Sequence, residues 1–117
     1  LAKSTGMTMI TVKSLRESDT ERTVQHAQEV AGQGCDAIYL SVDIGAVDTG
    51  QAAGRGDVVI GGMVPRELLE LMRAFSGVGK VRAMDFVEVA PNVDPSGRAE
   101  RLAAEAVIEF ISTRVLS

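Results

Sequence analysis

The chain has 117 residues, enough for one domain with a modest core. Hydrophobic residues make up 45%, near the globular average, which argues against disorder; only 3% are aromatic, so Val, Leu, Ile, Ala and Met must fill the interior. A net charge of −4, with the 12 Lys and Arg dispersed, excludes the clustered basic face of a nucleic-acid binder, and no apolar run approaches the roughly 20 residues that span a bilayer.

Met7 to Val12 (MTMITV), after a turn at Gly6, is rich in β-branched residues and predicts a first strand. Ser18-Asp19-Thr20-Glu21 has the spacing of a capping box and opens a helix with Val24, Ala27, Val30 and Ala31 on one face, ending near Gly32 and Gly34. His26 lies off that face and reads as a solvated helix histidine. Cys35, the single cysteine, excludes an internal disulfide and fits a reducing compartment, with the cytoplasm as the expected location; its simplest role is that of a small buried apolar residue. Pro65 suits the first position of a second helix, whose stripe is Leu68, Leu69, Leu71, Met72 and Phe75 and which stops at Gly77. Val81 to Ala90 predicts another strand, closed by Pro91 and carrying Asp85 and Glu88. Asp94 caps a last helix with Pro95 at its first position and an inward face of Ala99, Leu102, Ala103, Ala106, Val107, Phe110 and Ile111.

Between the first two helices lies Asp36 to Gly62, around which the chain is organised. Ala37 to Val42 is unbroken by polar alternation apart from Ser41, as in a parallel strand buried on both faces. It ends on Asp43 and leads into a long glycine-rich loop. The predicted order is therefore β-α-β-α-β-α, an α/β fold of three layers (α/β/α) with a parallel sheet and right-handed crossovers. Residues 1–117 form a single domain. The start at Leu1, close to the first expected strand, reads as a segment of something longer whose missing strands or partner cover the sheet edges.

Ligands in open α/β sheets sit beyond the carboxyl ends of the strands. Asp43, Asp48, Asp57 and Glu88 are expected on that rim, and oxygen ligands gathered there suit a divalent cation such as Mg²⁺ or Mn²⁺. The stretch Ser41-Val-Asp43-Ile-Gly-Ala-Val-Asp48, the loop Gly54-Arg-Gly56, the pair Gly61-Gly62, the helix start Arg66-Glu67-Leu68-Leu69 and the segment Asp85-Phe-Val-Glu88-Val-Ala-Pro91 together resemble the ureohydrolase family of arginases, agmatinases and formiminoglutamases. The resemblance covers nearly the whole chain and matches the carboxyl-terminal half of that family, implying an arginase-like fold. It implies two Mn²⁺ ions with Asp43 as a metal ligand, Glu88 as the contact for a guanidinium, and Asp48 in a structural role. The activity it implies for the complete protein is metal-dependent hydrolysis of a linear guanidino or amidino compound, agmatinase- or arginase-like, in a homo-oligomer; this chain alone is expected to be inactive, with the remaining ligands coming from a missing amino-terminal half or another subunit.

The departures from the family pattern are specific. Gly45 stands where the family has a second metal aspartate, Thr49 replaces a proline, and the loop that reads Gly-Thr-Gly-Thr-Pro in the family reads Gly54-Arg55-Gly56-Asp57-Val58. Asp57 is the candidate substitute oxygen ligand. The loss at Gly45 supports an alternative, a non-catalytic ureohydrolase-like subunit or regulatory protein. A third reading is a phosphate- or nucleotide-binding domain, from the glycines ahead of the Pro65 helix, although P-loop and dinucleotide spacings are absent. Arg55-Gly56-Asp57 spells an integrin tripeptide by chance.

Overall fold

The computed structural model describes residues 2–52 and 58–116. In chain order these form α1 (Ala2–Thr5), α2 (Val12–Glu17), α3 (Thr20–Ala31), β1 (Ile38–Asp43), a 3-10 turn (Ile44–Ala46), α4 (Pro65–Ser76), β2 (Val81–Val87) and α5 (Arg98–Leu116). β1 and β2 pair in parallel, with Tyr39 opposite Ala83, Ser41 opposite Asp85 and Asp43 opposite Val87. A register irregularity at Ile38/Tyr39 sets that alignment. The α/β arrangement with parallel pairing through a helical crossover is the one expected.

Two expectations about the sheet are corrected. Met7–Val12 is not a strand: Met7–Thr11 is irregular, and Val12 opens α2 with the Thr11 hydroxyl accepting the Ser14 N–H at 3.1 Å. β-branched residues favour strands only where a neighbouring strand offers a pleated surface to pack on. Among the described residues none pairs with this segment. Nor is β1 buried on both faces. Leu40 and Val42 pack towards the core with Met84 and Phe86, whereas Tyr39 is 60% exposed and Ser41 is exposed. The described helices lie against one side of the sheet only.

The core is built from the regular faces of α4 and α5. Leu68 and Met72 of α4 meet Ala99, Leu102, Ala106 and Phe110 of α5 at helical spacing. The predicted face of α5 extends too far, for Ile111 is exposed. On α3 only Val24 is fully buried and Val30 is exposed, because that helix packs on α4 along a narrow line. Two contacts fix α4 on α5: the Ser76 hydroxyl donates to the Phe110 carbonyl at 2.5 Å, and Arg73 grips Glu109 through Nε at 3.2 Å and Nη2 at 2.8 Å.

Helix ends follow local chemistry. The cap of α3 is Asp19, not Ser18: its carboxylate accepts the Arg22 N–H at 2.6 Å, while Ser18 closes α2. Cys35 is exposed rather than buried, since it sits in the surface turn after α3, where Lys80 Nζ reaches the Gly32 and Cys35 carbonyls at 2.9 and 3.0 Å. α5 begins at Arg98, so Pro95 lies in the preceding turn and not at the first helical position. Asp94 still serves it. Only 3% exposed, its carboxylate accepts N–H groups from Ser96 at 2.9 Å and Ala99 at 3.1 Å.

The Ser96 hydroxyl and then the Ala99 amide hold the Asp94 carboxyl below the usual carboxylate range, against the opposing effect of burial. Because the folded value lies below the unfolded one, the resulting stability is complete at neutral pH and is lost as pH falls through the lowered value. Asp94→Ala should therefore lower the denaturation midpoint at pH 7 and flatten the loss of stability below about pH 4, read by urea titration across that range.

Candidate functional site

β1 delivers Asp43 to the carboxyl edge of the sheet. There its Oδ1 accepts the Gly45 N–H at 2.7 Å, which turns the chain into the 3-10 turn and seats Ile44 in the core. Since Asp43 lies opposite Val87, Glu88 follows one residue beyond its partner, and neighbouring strands run about 4.8 Å apart. The register thus brings Asp43 and Glu88 to one edge. Glu88 is exposed and adopts φ 66°, the one described non-glycine residue with positive φ. A side chain in the left-handed region is strained, and such strain concentrates where a group must be aimed.

The loop after Asp43 closes on itself through a short parallel bridge between Val47 and Met63. Asp48 N–H donates to the Met63 carbonyl at 2.9 Å, and Met63 N–H to the Ala46 carbonyl at 2.8 Å. The Asp48 carboxylate accepts the N–H of Gly50 at 2.9 Å and of Gly61 at 2.7 Å, so it organises loop backbone. Arg16 of α2 braces the far end, with Nε 2.7 Å from Glu67 Oε1, and Nη2 3.1 Å from Glu67 Oε2 and from the Gly62 carbonyl. Glu67, held below the usual range chiefly by Arg16, accepts the Val64 N–H at 2.9 Å and so starts α4. Gly54 to Asp57 lie outside the described residues, which leaves the Asp57 expectation and the Arg55-Gly56-Asp57 tripeptide there. His26 is exposed on α3, away from this edge.

One constellation was not legible beforehand. On the open face of the sheet the Tyr39 hydroxyl donates to Asp85 Oδ2 at 2.6 Å. That bond, then the Ser41 side chain, holds the Asp85 carboxyl below the usual range, and the phenol of Tyr39 is pushed up by the same contact. Alternation puts Tyr39, Ser41 and Asp43 on one side of β1, so this carboxylate shares the face of Asp43. Only the pairing register reveals it, and that cannot be read from a single strand.

Of these carboxylates Asp43, at the strand tip, is the one placed as an oxygen ligand of a hard or borderline divalent cation would be, whereas Asp85 is taken up by Tyr39 and Ser41. Gly45 contributes no ligand, and among the described residues no group of three His, Cys, Asp or Glu could hold a metal.

The model of the Arginase family matches residues 1–112. The chain belongs to that family. It is 40% identical over 74 residues to the human mitochondrial guanidino acid hydrolase, covering 63% of this chain and 21% of that protein. It is 31% identical over 110 residues to an agmatinase of Neisseria meningitidis, covering 94% of this chain and 35% of the relative. The solved structure of formimidoylglutamase from Bacillus subtilis superposes with a TM-score of 0.89 at 28% identity, over 99% of this chain and 36% of that one. The fold is accordingly arginase-like, and the chain spans only about a third or less of the length of these relatives.

Two substitutions test this architecture. A Cβ on Gly62 would sit 2.7 Å from the Asp48 nitrogen and 2.9 Å from the Ala46 oxygen and the Val47 carbonyl carbon, all backbone atoms of the bridge. Gly62→Ala should cost about 1–3 kcal/mol in thermal or chemical unfolding. At position 88 the sign reverses. Glu88→Gly relieves the left-handed strain and should leave stability unchanged or raise it by up to about 1 kcal/mol, in the same assay.

Proposed function

We propose that this chain carries one edge of the active site of a metal-dependent hydrolase acting on a linear guanidino or amidino compound. The observation that carries the reading is the convergence of Asp43 and Glu88 on one carboxyl edge within an arginase-family fold. Relatives bearing the names guanidino acid hydrolase, agmatinase, guanidinopropionase and formimidoylglutamase have in common a substrate with an amidine-type carbon.

Asp43 would be the chain's metal ligand and Mn²⁺ the expected ion, two per site, with the other ligands supplied by the rest of the protein or another subunit. When bound, Mn²⁺ lowers the pKa of a water so that it attacks at neutral pH. Glu88 would pair with the substrate guanidinium through charge-assisted hydrogen bonds, fixing the planar group for attack at its carbon. Water would add to that carbon, the C–N bond to the substrate's amine would break with its electron pair going to the nitrogen, and a proton from the water would pass to that nitrogen, releasing an amine and urea or a related amide. Asp48 keeps a structural part through its two loop amides. Asp57, outside the described residues, is retained as the candidate substitute for the ligand missing at Gly45. A cytoplasmic, self-associating protein completes the proposal, in keeping with the single unpaired Cys35 and the apolar residues Ile108, Ile111, Val115 and Leu116 exposed on α5. No described helix is long and apolar enough to cross a membrane.

Gly45 favours a second reading, a non-catalytic subunit or regulatory member of the family. The whole protein separates the two. If the first reading is right, it binds Mn²⁺ and releases urea or an amide from a guanidino or amidino substrate. In that protein Glu88→Gln should raise KM about tenfold or more with metal content unchanged, and Asp43→Asn should lower metal content. A whole protein that takes up no Mn²⁺ and turns over no such substrate overturns the first reading. Inactivity reversed by Gly45→Asp would point to a damaged enzyme rather than a dedicated regulatory subunit.

A further inference from the structure

Glu88 is fixed from both sides. Before it, Val87 pairs opposite Asp43 in the sheet. After it, Val89 packs against the core, and the Ala90 carbonyl accepts the N–H groups of Val93 at 2.9 Å and Asp94 at 3.3 Å. A residue with a Cβ at φ 66° would relax into the extended region if the chain on either side could follow. The ladder prevents that on the strand side. On the other side the restraint comes from the turn that leads into α5.

Asp94 is the centre of that turn. Only 3% exposed, it accepts the Ser96 hydroxyl at 2.5 Å and the Ser96 N–H at 2.9 Å on Oδ1, and the Ala99 N–H at 3.1 Å on Oδ2. Its carbonyl accepts the Gly97 N–H at 3.2 Å. Ala99 is wholly buried at the start of α5, which packs on α4. Capping a helix needs only an acceptor for its free amides. Asp94 does more, because its own N–H reaches back to the carbonyl two residues past Glu88. One residue therefore ties the strained strand end to the α4–α5 pair.

We propose that Asp94 is a positioning residue: by joining the start of α5 to the Ala90 carbonyl, it holds Glu88 in its left-handed conformation and so fixes where the Glu88 carboxylate meets a substrate guanidinium. This rests on the reading of Glu88 as the guanidinium contact and adds to it a residue that touches neither substrate nor metal. Carboxylate–guanidinium pairing is directional, and a misplaced partner loses much of its worth. A carboxylate on a slack turn would also have to be ordered each time substrate binds.

The test uses the whole protein with Mn²⁺ bound, and reads kcat and KM for a linear guanidino probe such as agmatine, together with metal content and melting temperature. Wild type, Asp94→Ala, Glu88→Gln and the double variant form one cycle. Asp94→Ala should raise KM about three- to tenfold with metal content unchanged, whatever melting temperature it also loses. The double variant should match the KM of Glu88→Gln alone to within about a factor of two, because a residue acting only through Glu88 has nothing left to position. Should Asp94→Ala fail to fold, Ser96→Ala, which takes the hydroxyl away from Asp94, replaces it in the same cycle with a smaller rise in KM.

A variant at Asp94 that melts lower but keeps the wild-type KM overturns the proposal, since Asp94 is then a helix cap and nothing more. So do effects that multiply in the double variant, which would put Asp94 on a route independent of Glu88. A wild type that binds no Mn²⁺ and turns over no guanidino or amidino compound defeats the functional reading and this proposal with it. An active wild type in which Glu88→Gln leaves KM unmoved defeats the assigned role of Glu88, and again this proposal falls. An active enzyme sensitive at Glu88 but indifferent at Asp94 defeats this proposal alone.

Discussion

The register of β1 against β2 is the constraint on which the rest depends. Ser41 lies opposite Asp85 and Asp43 opposite Val87, a pairing that sets the strand tips level. Because side chains alternate, a slip by one residue would turn every one of them to the other face. Leu40 and Val42 would leave the core, and Tyr39, Ser41 and Asp43 would enter it. The apolar face of β1 over α4 and α5 thus specifies the polar face as well. Asp43, Asp85 and Glu88 hold their relative places because burying Val42 and Phe86 allows no other arrangement.

The long connection after Asp43 adds a second level of control. Backbone amides that would otherwise be unsatisfied are taken up within the loop: Asp48 by the Met63 carbonyl, Met63 by the Ala46 carbonyl, Gly50 and Gly61 by the Asp48 carboxylate. Gly62 lies so close to the opposing backbone that only a hydrogen fits, which locks the loop end against the 3-10 turn and aims Pro65 into α4. The departure at Gly45 is different in kind. It leaves this scaffold whole, for its amide still secures Asp43 Oδ1, and removes only a potential ligand. Scaffold and chemistry have separated at that one position, which is why an active and an inactive reading of the same fold can both be framed.

Much of this was legible in the sequence. The apolar run ending on Asp43, Pro65 at the start and Gly77 at the end of α4, and the spacing of Ala99, Leu102, Ala106 and Phe110 each announce their element, since burial and capping leave periodic or punctuating marks. The motif run from Ser41 to Pro91 carries the family resemblance in the sequence itself. Met7–Val12 misled because strand preference is conditional on a neighbour, and Thr11 with Ser14 held a competing helix start. The cap of α3 slipped by one residue because Ser18 and Asp19 can both play the part, and Asp19 offers the charged acceptor. The Tyr39–Asp85 pair left no mark at all. Forty-six residues separate its members, and only the tertiary register makes them neighbours.

What distinguishes the carboxyl edge is that it carries the one described non-glycine residue with positive φ, Glu88. Elsewhere the unusual features resolve locally: the buried Asp94 is satisfied by the turn before α5, and Gly34 and Gly61 take positive φ without side-chain strain. At this edge Glu88 holds a left-handed backbone that L side chains rarely adopt, one residue past the partner of Asp43. A sequence shaped by stability alone would place glycine there, because such strain lowers stability. Strain of this kind concentrates where a side chain has to be aimed, and here it falls at the strand tips beside Asp43, where the register has already brought the two carboxylates to one edge.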